Sequence, residues 1–128
     1  MADVVYIRLT QQEYYFMNQN LPLVEERKLI ALFRVEPGSL GPDGSDSVVA
    51  FCEYCRRELR TIDVDLIRCE IIPRDDKSLP ELEYKVGDRK LSSVQAQKYL
   101  AALGGDLEVF EDRLLEKMQG LIEDYMGH

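Results

Sequence analysis

Hydrophobic and polar positions alternate in several short stretches of the chain, which is the pattern of a half-buried β-strand. Apolar residues at every second position place one set of side chains on one face of a sheet and polar residues on the other. The first stretch is defined instead by its β-branched and aromatic residues. The strands predicted in this way cover residues 4–9, 28–36, 66–72 and 82–86, and the last opens a hairpin at Gly87-Asp88.

Apolar residues spaced three and four apart predict helices elsewhere. The pair Thr10 and Glu13 forms a capping-box pattern that begins a helix. A second helix is bounded by serines at its start and by a glycine pair at its end. The strongest pattern begins after Asp106 and keeps one apolar face over about 20 residues. The predicted helices cover residues 10–20, 93–103 and 106–126.

These elements predict one α+β domain over residues 1–128, which is an ordinary length for a single domain. The sheet is expected to be mainly antiparallel, with four to five strands packed against three to four helices, the last of them long and amphipathic. The side chains that the patterns turn into the core are Phe33, Ile67, Ile71, Tyr84, Leu100, Leu103, Phe110, Leu114 and Leu121.

Two secondary structures fit the Cys-x-x-Cys segment at residues 47–61. As one helix, the segment places Cys52 and Cys55 on an apolar face together with Val48 and Leu59, so that both cysteines are core residues. As a strand at 48–52 followed by a helix, it places Cys52 at a helix N-terminus. The positive end of the helix dipole would stabilise a thiolate there.

The second interpretation resembles a glutaredoxin or thioredoxin-like domain over residues 48–104. The stretch "CEYC" is similar to the C-P-Y-C motif of that family, and "SLPEL" is similar to its T-V-P stretch. The resemblance implies a thiol-disulfide oxidoreductase in which Cys52 is the nucleophile, Cys55 the resolving thiol and Pro80 a cis-proline that faces them. Glu53 stands where the family has a proline, and its negative charge opposes thiolate formation.

Charge narrows the classes of partner. The chain has a formal net charge of −8 and a sequence pI of about 4.7. An acidic surface repels phosphate backbones and anionic lipid, so nonspecific nucleic-acid binding and membrane binding are not expected. No apolar run approaches the roughly 18 residues that cross a bilayer. A cytoplasmic location, where the three cysteines stay reduced, is therefore expected.

Catalytic and metal-binding patterns are sparse. The chain has one histidine, His128 at its end, which leaves no Ser-His or Cys-His machinery. A structural zinc site takes four ligands, and three cysteines with a terminal histidine do not provide two close pairs. No metal and no cofactor are expected.

Surplus aromatic residues indicate an interaction surface. Tyr14, Tyr15 and Phe16 are consecutive and point about 100° apart on a helix, so they cannot all face one core. We therefore expect a small, acidic, non-enzymatic interaction protein, similar to an inhibitor, an immunity protein or a chaperone, that binds a basic protein partner. The C-terminal helix could also pair two copies of the chain. The oxidoreductase is the alternative.

Overall fold

In the computed structural model, residues 23–62 and 65–127 are described. The predicted strand at 4–9, the predicted helix at 10–20 and the three aromatics at 14–16 lie outside these residues. The main elements in chain order are β1 (Leu29–Val35), α1 (Gly44–Glu58), β2 (Ile67–Pro73), β3 (Leu82–Val86), β4 (Arg89–Leu91), α2 (Ser93–Ala102) and α3 (Leu107–Tyr125). Short 3-10 turns precede β1 and α1 and follow α1.

The four strands form one mixed sheet in the order β2-β1-β3-β4. β1 and β2 are parallel, with Leu29 opposite Ile67, and α1 makes the crossover between them. The other two strand pairs are antiparallel, with Ala31 opposite Tyr84 and Tyr84 opposite Leu91. The predicted α+β fold is therefore confirmed, and two of its three strand pairs are antiparallel.

The helices and one face of the sheet enclose a single hydrophobic core. Alternate residues of β1, beginning at Leu29, join this core, while Ile30 and Leu32 on the opposite face are also buried. β1 is thus buried on both faces, whereas the alternation of Leu29, Ala31, Phe33 and Val35 predicts a half-buried strand. All nine residues predicted for the core are buried, which confirms the periodicity argument.

Residues 48–52 are helical, so the alternative strand at this position is wrong. Val48, Phe51, Cys52 and Cys55 recur at helical spacing and are all buried, whereas Val49 is 61% exposed. In a strand, Val48 and Cys52 would lie on the same face as Ala50, and Phe51 would lie on the opposite face. The helix begins at Gly44, three residues before the predicted start at residue 47. A 3-10 turn at Pro37–Leu40 precedes it.

The last two helices begin and end within one residue of their predicted bounds. Capping side chains fix where they begin. Ser92 accepts a hydrogen bond from the Gln95 backbone, and the Gln95 side chain accepts one from the Ser92 backbone. Asp106 caps α3 by accepting from the backbone N–H of Val109 at 3.2 Å. Within the described residues, no helix is long and apolar enough to cross a membrane.

Candidate functional site

The Cys-x-x-Cys pair lies inside the core. Cys52 and Cys55 are both 0% exposed and face the sheet from α1. Cys52 stands eight residues after the helix start at Gly44, about two turns from the positive end of the helix dipole. Both thiols are free. The helix therefore uses them as small apolar side chains, as the one-helix interpretation predicts.

Burial makes both thiols poor acids. It raises the pKa of Cys52 to about 11, against a smaller opposing effect of the Arg56 charge. Burial also raises the pKa of Cys55 to about 12, and the neighbouring Cys52 contributes in the same direction. The thiolate is the reactive form of cysteine, so this environment does not favour disulfide exchange at neutral pH.

Pro80 lies in a loop whose carbonyl groups are already occupied. The Arg34 guanidinium donates to the Pro80 carbonyl at 2.7 Å, and Arg74 donates to the Leu79 carbonyl at 2.9 Å. Asp76 accepts from the backbone and the hydroxyl of Ser78, which lowers the pKa of this carboxyl. All peptide bonds of the described residues are trans, including the bond before Pro80.

The Cys-x-x-Cys pair does not lie where the resemblance to thioredoxin-like domains places it. That resemblance implies a strand at 48–52 and a helix that starts at Cys52, whereas residues 48–52 are in the middle of α1 and the strand before α1 is β1. The loop between β1 and α1, at 36–43, has no cysteine. Cys52 and Cys55 are buried and the bond before Pro80 is trans, so the described residues do not show the exposed thiol and the cis-proline that the resemblance implies.

Alkylation of the native protein is expected to be slow at Cys52 and Cys55 and to stay slow up to about pH 10, because their raised pKa values keep both thiols protonated. Cys69 is only half-buried and should react first. Mass spectrometry after timed iodoacetamide labelling, with and without denaturant, measures the rates. Fast native labelling of Cys52 near pH 7 would contradict the buried geometry and favour the oxidoreductase.

The outward face of α3 carries a line of carboxylates. Glu108, Asp112, Glu116 and Glu123 lie on the side of the helix opposite its buried residues, and all four are exposed. We call these four residues the acidic stripe. Glu108 and Glu123 are 15 residue steps apart, which is about 22 Å along the helix. No salt bridge between described residues involves any of the four.

Two apolar side chains border the acidic stripe. Val109 is 43% exposed and Leu115 is 47% exposed. They fall on opposite margins of the stripe, since successive helical residues are turned by about 100°. The outward face of α3 therefore combines negative charge with exposed apolar area.

The inward face of α3 is used within the chain. Five of its apolar residues are buried, and Phe110, Leu114 and Met118 are each no more than 2% exposed. A hydrogen bond of 2.8 Å from the Tyr84 hydroxyl to Glu111 ties α3 to β3. Burial raises the pKa of Tyr84, and the Glu111 carboxylate raises it further. A homodimer through α3, which stays a prediction, would have to use the outward face.

The sequence-predicted site residues thus do not form one site. Cys52 and Cys55 are in the core. Pro80 is in the loop that accepts hydrogen bonds from Arg34 and Arg74. The aromatics at 14–16 lie outside the described residues. The acidic stripe was not among the predicted sites. Its signal, acidic residues four apart, is readable in the sequence once the apolar face of α3 is known.

The comparisons give no relative from which a role could be transferred. No protein-family model, no curated protein and no solved structure matches this chain. Among the described residues, no group of three or more His, Cys, Asp or Glu side chains could hold a metal ion.

Proposed function

We propose that the protein is a non-enzymatic interaction protein that binds a basic protein partner through the acidic stripe on α3. The observation that carries this proposal is the alignment of four exposed carboxylates on one helix face, none of them in a salt bridge with a described residue. A partner that presents lysine or arginine at matching spacing would neutralise them.

Electrostatics within the helix supports this reading. Glu108 and Asp112 are four residues apart, as are Asp112 and Glu116, so they are like-charged neighbours on one helix face. Each such pair destabilises a helix by about 0.2–0.5 kcal/mol. A cationic partner would turn this repulsion into attraction, and long-range attraction to a chain of net charge −8 would also speed the encounter.

The neighbouring apolar residues add contact area to the proposed interface. Val109 and Leu115 lie on the two margins of the acidic stripe and are both exposed, so a partner that covers the stripe would also bury part of them. Tyr14, Tyr15 and Phe16 remain a second proposed contact surface, on the argument from the sequence alone.

Reversing two charges of the acidic stripe is expected to weaken partner binding by about tenfold or more, because charge pairs across an interface contribute both affinity and specificity. The variant is Asp112→Lys with Glu116→Lys. Partners captured from a lysate of the source organism by the wild-type chain and by the variant are quantified by mass spectrometry. Binding of the purified partner is then measured by calorimetry.

A second double variant controls for net charge. Glu26→Lys with Glu53→Lys exchanges two exposed acids elsewhere, and both variants have a formal net charge of −4 because each exchange adds two charges. The control should keep the partner. Equal retention by both variants, or equal loss from both, would show that the acidic stripe does not select it.

A further inference from the structure

A cavity of about 280 Å³ lies where the end of α1 meets the beginning of β2. Four cationic side chains line it, Lys28, Arg56, Arg60 and Arg68. Glu25 is the one carboxylate among its described lining residues. In a chain whose formal net charge is −8, this concentration of positive charge around one concave site runs against the overall composition.

Part of this positive charge is not neutralised within the described chain. Lys28 is paired with Glu25 at 2.6 Å, and Arg68 is paired with Glu70 at 3.3 Å. Arg56 uses its Nε to donate to the Ile71 carbonyl at 3.0 Å, which fixes the guanidinium without cancelling its charge. Arg56 and Arg60 are four residues apart and form no salt bridge with a described carboxylate.

The helix end alone does not account for this cluster. Cations near a helix C-terminus interact favourably with its carbonyl groups, but the helix end is equivalent to only about half a negative charge. Arg57 is in the same last turn as Arg56 and is also available for this role. Arg57 does not line the cavity, whereas Arg56 and Arg60 both do.

We propose that this cavity binds a small molecule that carries a phosphate group on a compact apolar body. Arginine guanidinium groups match phosphate oxygens in geometry and charge, and Arg56 is already held in place. The apolar part of the lining is formed by Leu59, Ile62 and Ile67. The cavity's volume of about 280 Å³ is just below the roughly 300–1,000 Å³ of drug-sized ligand pockets, which limits the ligand to a small molecule.

Phenyl phosphate is the probe that tests this assignment, with inorganic phosphate as the probe that lacks the apolar body. Calorimetric titrations of the full chain at constant ionic strength should show saturable binding of one phenyl phosphate, tighter than that of inorganic phosphate. Arg56→Gln with Arg60→Gln should raise the dissociation constant by about tenfold or more, since hydrogen bonds to two charged groups are lost.

Arg57→Gln is the matched control and should bind phenyl phosphate as the wild type does. Arg60→Gln alone keeps the bond from Arg56 to Ile71 and should weaken binding in the same direction with thermal stability unchanged. Cys69 also lines the cavity, so bound phenyl phosphate should slow its alkylation. Unsaturable binding to the wild type, or equal weakening by Arg57→Gln, would overturn the proposal. Phenyl phosphate binding no tighter than inorganic phosphate would overturn the apolar part of the ligand.

Discussion

Replacing Phe110 with alanine is expected to lower the free energy of unfolding by about 3–5 kcal/mol. Phe110 is 1% exposed and is one of the largest fully buried side chains. It lies on the inward face of α3, in the core shared with the sheet. Removal of the ring loses its transfer free energy and leaves a cavity that the surrounding helices and strands can only partly fill.

Urea denaturation followed by circular dichroism measures this loss. The neighbouring exposed residue provides the matched control, since Val109→Ala should change the free energy of unfolding by no more than about 0.5 kcal/mol. A loss below about 1 kcal/mol for Phe110→Ala would mean that α3 is not packed on the sheet in solution. The acidic stripe would then lack the fixed outward orientation on which the proposed function depends.

Replacing Gly44 with alanine is expected to cost about 3 kcal/mol, at the upper end of the usual penalty for overpacking. A β-carbon at Gly44 would overlap the backbone carbonyl of Pro37, and it would also press on Leu40. Backbone atoms cannot rotate out of the way as the end of a side chain can. The turn that joins β1 to α1 must therefore shift, and with it the start of the helix.

Gly120→Ala is the opposite case and serves as the comparison. Gly120 lies inside α3, and a β-carbon there would meet nothing within 4 Å. Alanine should therefore stabilise the protein by about 0.5–1 kcal/mol, because it restricts the unfolded chain and has the higher helix propensity. Thermal and urea unfolding of both variants should give opposite signs. A neutral Gly44→Ala would contradict the described approach of the helix start to the 3-10 turn.

Most of the fold follows from periodicity, but strand direction does not. The alternation in β1 and β2 identifies both strands and their core faces, and α3 is defined by its apolar spacing and by the Asp106 cap. A period of two is the same for parallel and antiparallel neighbours. The parallel pairing of β1 with β2 depends on α1 as a crossover, and residues 48–52 fit either a helix or a strand when read alone.

The candidate sites could be predicted less well from the sequence than the fold, because they depend on tertiary contacts. The hydrogen bond from Arg34 to Pro80 joins residues 46 positions apart, and it occupies the loop that the resemblance made functional. The cavity lined by Lys28, Arg56, Arg60 and Arg68 combines residues from three separate parts of the chain. The spacing of these residues along the sequence does not show that they are neighbours in space. The packing of α1 against β2 brings them together.

Carboxyl footprinting of the complex with the captured partner tests the central claim most directly. Carbodiimide-mediated labelling of exposed acids is quantified by mass spectrometry with and without the partner. The proposed interface predicts reduced labelling of Glu108, Asp112, Glu116 and Glu123, with no change at Glu26 and Glu53. Unchanged labelling of the acidic stripe together with protection at Glu26 and Glu53 would place the partner elsewhere and contradict the proposed function.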